Sequence, residues 1–422
     1  MKRIILVALF SVSCAFGAQG GEPWRLQPSW LAAQDTTAVA GRDTVKSAST
    51  RLPLFLNVKF SGGGVFKTND FVRGSQSIPY YGAASVKFGV SPMGNRWQDI
   101  AYGMPYYGVA VYGADFGRKR DLGNPISVYL LQGAVMAQVS RRVTLNYEWN
   151  LGASFGWKPY DPFDNHENVA IGAGMNAHVG LGIYFKWYVN RWLDLHIGGD
   201  LTHFSNGAQK MPNAGMNMYS VFVEASYNFN RSKVRDEFDG SLTPPPYEKH
   251  FVSDIYATIS SCGISVDTTG TNLPHAYVDH KFKVLGLNYS LMRAVNYRYR
   301  YGVGMDLVYN ESAGSWAERK RNPLDDKWYD VVHYGRTRDR FSLGATVKGE
   351  VVLPGYSIFM NLGWQIYKGN NKESNFYQIL GVKVYLKENF FGTFGIRANH
   401  FSKAQYLFWS LGYTIEHYNR KK

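Results

Sequence analysis

From Val143 to Trp157 the chain alternates residue by residue. Val143, Leu145, Tyr147, Trp149, Leu151, Ala153, Phe155 and Trp157 share one parity; Thr144, Asn146, Glu148, Asn150, Gly152, Ser154 and Gly156 share the other. A period of two belongs to a strand whose faces meet different surroundings, whereas an amphipathic helix repeats its apolar positions every three or four residues. The same alternation runs through Ala177–Trp187, Tyr297–Leu307, Phe341–Val351 and Ile358–Ile366. Each segment predicts a strand with one apolar, aromatic-rich face and one polar or glycine face.

A secreted sandwich would turn the apolar face inward. Three features favour the opposite arrangement. Several strands run ten residues or more, aromatics crowd their ends, and the connections alternate in length. Those near 140–142, 189–191, 293–295, 354–355 and 388–389 are tight. Those near 64–82, 116–124, 158–170, 206–216, 263–275, 310–338 and 368–374 are longer. Tight turns on one side and long loops on the other mark an outer-membrane barrel, here of about sixteen antiparallel strands. Closure satisfies every backbone group in lipid, with the apolar parity outward and the polar parity in the lumen. The fold class read from the chain is therefore an all-β transmembrane antiparallel β-barrel in a Gram-negative outer membrane.

The pattern is also repeated. The segment ending LHIGGDLTHFS at Ser205 and the one ending FGTFGIRANHFS at Ser402 each follow a strand and an Asn-containing turn, and each precedes one last strand. The expected organisation is a signal peptide at 1–18, a periplasmic lead-in at 19–52, a barrel half at 53–230, a charged Pro-rich linker at 231–250 and a second, degenerate repeat at 251–422. Two assemblies fit: one large barrel or two closed eight-stranded barrels in tandem. The long linker favours the tandem form. Hairpin duplication within one sheet needs no second closure, and on that ground a single large barrel is the preferred expectation.

Composition fits this reading. Aromatics at 16% and charged residues at 18% exclude intrinsic disorder. Met1-Lys2-Arg3, the apolar Ile4–Phe16 and the small residues after it form the signal peptide. Cys14 falls in it, which leaves Cys262 and no disulfide. The net charge is +14, with basic clusters at Arg118–Arg120, Arg319–Arg321, Arg336 and Arg338 in long loops. These suit an anionic glycolipid or serve as solvated loop surface, and solvation is the better account of any one of them. The interior-parity charges Glu148, Asp200, Glu224, Arg298, Arg300, Asp306, Lys348, Glu350 and Arg397 are expected to pair within the lumen. The sequence gives no metal-ligand spacing, no cofactor motif and no reason to expect a nucleic-acid partner.

The candidate chemistry lies at the end of one strand. His203 and Ser205 share the parity of Leu193, Leu195, Ile197 and Leu201, so they face lipid near the long-loop rim. A polar pair there is either tolerated at the headgroup level or functional. The stretch His203–Phe229, HFSNGAQKMPNAGMNMYSVFVEASYNF, resembles the lipid A 3-O-deacylase (PagL-type) family of acyloxyacyl hydrolases, with His203, Ser205, Asn206, Lys210, Pro212, Asn213 and Gly215 fitting its layout. The resemblance implies an eight-stranded outer-membrane barrel that removes an ester-linked acyl chain from lipid A in the outer leaflet. It implies Ser205 as nucleophile and His203 as general base. The family's His-orienting carboxylate falls at Asn217, which can hold an imidazole but brings no charge. Asn206, Asn213 and the backbone at Gly207 are candidate oxyanion donors, or ordinary turn residues. His400 and Ser402 repeat the pair at the same offset, with Lys403 in place of the Asn, and read as a structural duplicate. The rival from another class is a non-enzymatic barrel, porin-like or structural, that keeps the motif.

Overall fold

The computed structural model describes residues 53–418 apart from 74–77, 93, 95, 162, 208, 232–242, 268–275, 279, 326, 371–373, 388 and 400–402. The expected signal peptide and lead-in, and the His400/Ser402 pair, lie outside the described residues.

The first barrel contains β1 (Leu54–Val65), β2 (Tyr81–Val90), β3 (Tyr106–Asp115), β4 (Gly123–Ser140), β5 (Val143–Trp157), β6 (Asn176–Tyr188), β7 (Leu193–Ser205) and β8 (Met216–Asn228). The second half contains β9 (His250–Cys262), β10 (Ser265–Asp267), β11 (Ala276–Tyr277), β12 (Phe282–Ala294), β13 (Tyr299–Asn310), β14 (Trp316–Arg321), β15 (Trp328–His333), β16 (Phe341–Leu353), β17 (Tyr356–Lys368), β18 (Phe376–Tyr385), β19 (Phe390–Asn399) and β20 (Lys403–His417). Every neighbouring pair within a barrel is antiparallel. The first barrel closes where β1 meets β8, with Leu56 opposite Tyr227, and the second where β9 meets β20, with Ile255 opposite Tyr413.

The chain thus forms two closed eight-stranded barrels, and the preference for one large barrel is corrected. A single barrel of all the strands would leave no free edge either, so edge satisfaction does not choose between the two forms. Long-range pairing does: β8 returns to β1 and β20 to β9, so each half supplies its own closing ladder.

Parity sets the two surfaces as expected. On β7, Leu195, Ile197 and Leu201 are exposed on the outer wall while Asp194, His196 and Thr202 are buried in the lumen. In the first lumen Lys87 Nζ lies 2.6 Å from both Glu148 Oε1 and Glu224 Oε2, and His196 Nδ1 lies 2.7 Å from Glu224 Oε1. Asp200 pairs with Lys59. In the second, Lys383 pairs with Asp254 at 2.7 Å, and Arg300 Nη1 and Glu350 Oε1 both bond the Tyr385 hydroxyl, at 3.1 and 2.9 Å. Lys348 stands 4.0 Å from Asp306, and Arg397 lies over the Tyr377 ring and donates to Gln405.

Arg298 is a correction. It precedes β13 in a turn outside the lumen, and its guanidinium donates to the carbonyls of Ala101, Ile100 and Val135 in the first barrel. Its neighbour Tyr297, expected on the lipid face, is buried with Tyr102 and Val352 between the barrels. The apolar–polar alternation continues through Tyr297 and Arg298, two residues ahead of the first residue of β13. Alternation of loop length also fails twice: three residues separate β19 from β20 on the long-loop side, and β2–β3 breaks it the other way. The β2–β3 connection is long although it lies on the tight-turn side, and it carries the short helix Trp97–Ala101 whose carbonyls Arg298 caps. Tyr247 of the linker packs edge-on against Tyr297. The long loops of the second barrel hold a four-stranded sheet, β11-β10-β14-β15, that alternation alone did not reveal. Within it Arg319 is paired with Asp330 and Lys320 with Glu318, so this basic cluster is largely neutralised locally.

Candidate active site

Strand register builds the site. His203 near the end of β7 stands directly opposite Asn217 at the start of β8. Ser205 follows on the same face, because residues two apart on a strand point the same way. His203 Nδ1 lies 2.7 Å from Asn217 Oδ1, and His203 Nε2 lies 2.9 Å from Ser205 Oγ. The amide oxygen can only accept, so Nδ1 carries the hydrogen and Nε2 presents its lone pair to the serine hydroxyl. That is the tautomer a general base requires.

The amide itself is oriented from the segment that follows β1. Asn217 Nδ2 donates to Thr68 Oγ1 at 3.0 Å. Thr68 follows β1, which reaches Asn217 because barrel closure extends the β1–β8 ladder to Phe66, whose N–H donates to Asn217 O at 2.8 Å. Thr68 was not foreseen. Its sequence neighbourhood carries no motif, and only closure brings it to β8.

The β7–β8 connection is held on its inner side by several bonds. Ala214 and Gly215 donate their N–H groups to Val169 O and Ala170 O at 3.1 and 3.0 Å, and Asn69 Nδ2 donates to Gly215 O at 2.8 Å. Gly215 has φ +76°, and a Cβ there would come within 2.9 Å of His203 Cε1. A side chain at this position would displace the imidazole.

Ser205, Asn206 and Asn213 are all buried. The three candidate oxyanion residues divide. The Asn206 N–H donates to Asn213 Oδ1 at 2.9 Å, and Asn206 Nδ2 donates to Lys210 O at 2.7 Å, so Asn206 shapes the loop. Asn213 Nδ2 is buried with no hydrogen-bond partner among the described residues. Its Oδ1 is bonded to the backbone N–H of the residue that follows Ser205, and its Nδ2 is a free donor in the same loop. Gly207, at φ +63°, continues the turn.

Comparison with known proteins assigns the chain. A family model described as lipid A 3-O-deacylase (PagL) matches residues 82–226, and one described as acyloxyacyl hydrolase, C-terminal domain, matches residues 254–418. Together they account for well over half of the chain. The chain belongs to the PagL-type acyloxyacyl hydrolase family. Membership makes it a Gram-negative outer-membrane barrel and a hydrolase of an ester bond. The second barrel, expected to be a degenerate copy, matches a model of its own. Solved structures similar to the chain include an outer-membrane enzyme, PagL, at 16% identity, covering 40% of this chain and 97% of that one with a TM-score of 0.26. The siderophore receptor PirA from Acinetobacter baumannii is 8% identical over 87% of this chain and 69% of its own, with a TM-score of 0.24. OccK5 from Pseudomonas aeruginosa is 8% identical over 87% and 98%, with a TM-score of 0.19. No curated protein matches the chain.

Proposed function

We propose that the protein removes an ester-linked acyl chain from lipid A, with Ser205 as nucleophile, His203 as general base and Asn217 as the residue that orients the imidazole. The observation that carries this reading is the continuous chain Asn217–His203–Ser205, with hydrogen-bond lengths of 2.7 and 2.9 Å, at the loop end of an outer-facing strand. The outer wall beside it offers exposed Leu201, Tyr219 and Val221, on which acyl chains can lie while the ester sits at headgroup level.

Ser205 Oγ attacks the ester carbonyl carbon while Nε2 of His203 takes the hydroxyl proton. The carbonyl oxygen becomes an oxyanion, for which Asn213 Nδ2 and the Gly207 N–H are the donors. Collapse breaks the ester C–O bond, and the departing sugar hydroxyl takes the proton from His203. A water molecule, deprotonated by the same imidazole, then attacks the acyl-serine; the acyl C–Oγ bond breaks, His203 returns the proton to Ser205 Oγ, and the fatty acid leaves. Asn217 accepts the Nδ1 hydrogen throughout, but it cannot neutralise the imidazolium formed between these steps.

The test compares wild type, Ser205→Ala and His203→Ala expressed in the outer membrane of a host with intact lipid A, read by mass spectrometry of lipid A. Loss of one acyl chain with wild type alone supports the reading. Unchanged lipid A in all three overturns it for this substrate.

A further inference from the structure

The second barrel reaches the catalytic loop of the first. The position a Cβ on Gly207 would take is 2.2 Å from Leu407 Cγ and 2.4 Å from Leu407 Cδ1. Leu407 lies on β20 with the outward parity of Trp409, Leu411 and Tyr413, all exposed. Its isobutyl group therefore rests on the bare backbone of Gly207, two residues after Ser205. A second contact comes from another strand of the same barrel: the ammonium of Lys281, immediately before β12, donates to Gln209 O. Strand β9 pairs with both β12 and β20, so the two contacts straddle it and brace the loop across three strands.

We infer that the second barrel is a positioning element for the ester-hydrolysing site, clamping the β7–β8 connection so that its oxyanion donors are held beside Ser205. This rests on the function proposed above. The loop's inner side is fixed by Val169, Ala170 and Asn69 of the first barrel, while its outer side, at Gly207 and Gln209, meets Leu407 and Lys281. Gly207 adopts a positive φ and has no side chain, so it is the point at which the loop would otherwise move most freely. Oxyanion donors work only when held within about 0.5 Å of their place. The other end of the molecule supports the same geometry, because Arg298 and Tyr297 fix the barrels to each other at the tight-turn side. Leu407 and Lys281 do not belong to the Asn217–His203–Ser205 hydrogen-bond chain; they act through the loop.

The experiment uses the full chain with lipid A in mixed micelles. It measures kcat and KM together with hydrogen exchange of the 206–210 amides. Variants are the double Leu407→Ala/Lys281→Ala, the conservative Lys281→Arg, and Ser205→Ala. Folding of each is checked by heat-modifiable migration of the barrels. The expected result is a fall in kcat of about tenfold or more in the double variant with KM unchanged, faster exchange at 206–210, and near wild-type behaviour of Lys281→Arg. Unchanged exchange, or a kcat within about twofold of wild type in the folded double variant, overturns the clamp. Full activity in Ser205→Ala overturns the reading of the site itself. Exchange at 206–210 does not depend on activity, so the two failures are distinguishable.

Discussion

Thr68 Oγ1 accepts the amide hydrogen of Asn217 at 3.0 Å while its own hydroxyl points to Phe66 O, an arrangement that leaves the oxygen end of the amide toward His203. With Nδ2 committed to Thr68, Oδ1 is left for the imidazole, 2.7 Å from Nδ1. An amide in the opposite orientation would point a donor at Nδ1, force the hydrogen onto Nε2 and remove the base. In the Ser-His-Asp protease triad, an Asp-to-Asn change costs about 10⁴-fold through that wrong tautomer. Here the amide is held in the productive sense, and only the missing charge separates it from a carboxylate. Asn217→Asp is therefore expected to raise kcat by about ten- to a hundredfold, because it stabilises the imidazolium without changing geometry. Thr68→Val is expected to lower kcat by about tenfold, the loss of one orienting hydrogen bond. Steady-state deacylation of lipid A checks both. A slower Asn217→Asp enzyme would remove Asn217 from the proposed role.

Gly215 sets the place of the imidazole. Its φ of +76° disfavours any residue with a Cβ, and that Cβ would lie 2.9 Å from His203 Cε1. Gly215→Ala is expected to leave both barrels folded and to lower kcat by about 10²-fold, the scale of an ångström-sized misplacement of a reacting group. Heat-modifiable migration reports the fold, and acyl release reports the rate. Wild-type activity in this variant would mean that the ring has room to spare.

The barrel character of the chain was legible because period two is imposed on every strand by its two surroundings. The same rule groups His203, Ser205 and Asn217 on one strand face, and register sets His203 opposite Asn217, although Ser205 itself is buried. What parity cannot carry is which strands close on which. The pairing of β1 with β8 depends on contacts between residues far apart in the chain, and with it went both the number of barrels and the role of Thr68. Tyr297 and Arg298 failed for a related reason. They continue the alternation of β13 but bury themselves against the first barrel, and no local pattern separates a lipid-facing tyrosine from one that faces protein. Asn206 and Asn213 were equivalent candidates by sequence; the bond from the Asn206 N–H to Asn213 Oδ1 distinguishes a loop former from a free donor.

Lys87 is the electrostatic centre of the first lumen. It is buried, and it pairs with Glu148 and Glu224 at 2.6 Å each. Its removal leaves two buried carboxylates facing each other without that cation, although His196 and Asn57 remain on Glu224. Breaking a buried pair in this way costs about 3–5 kcal/mol. Lys87→Met is expected to lower the unfolding free energy of the first barrel by that amount, measured by urea titration in detergent. Lys87→Met combined with Glu148→Gln and Glu224→Gln should recover part of the loss, because the stranded charges are removed with their partner. No recovery in the triple variant would show that packing of the lysine stem, not charge, is what stabilises.

Asn213 performs two tasks that one substitution can separate. Its Oδ1 accepts from the Asn206 N–H and shapes the loop, while its Nδ2 is the free donor proposed for the oxyanion. Asn213→Asp keeps an acceptor of the same shape and replaces the donor with an anionic oxygen. The loop should keep its hydrogen-exchange protection, KM should be unchanged, and kcat should fall by about 10²–10³-fold, the loss seen when one oxyanion donor is removed. Asn213→Ala removes both functions, so its loop amides should exchange faster as well. If Asn213→Asp keeps wild-type kcat, the oxyanion is stabilised by backbone alone, and the Gly207 N–H becomes the group to test.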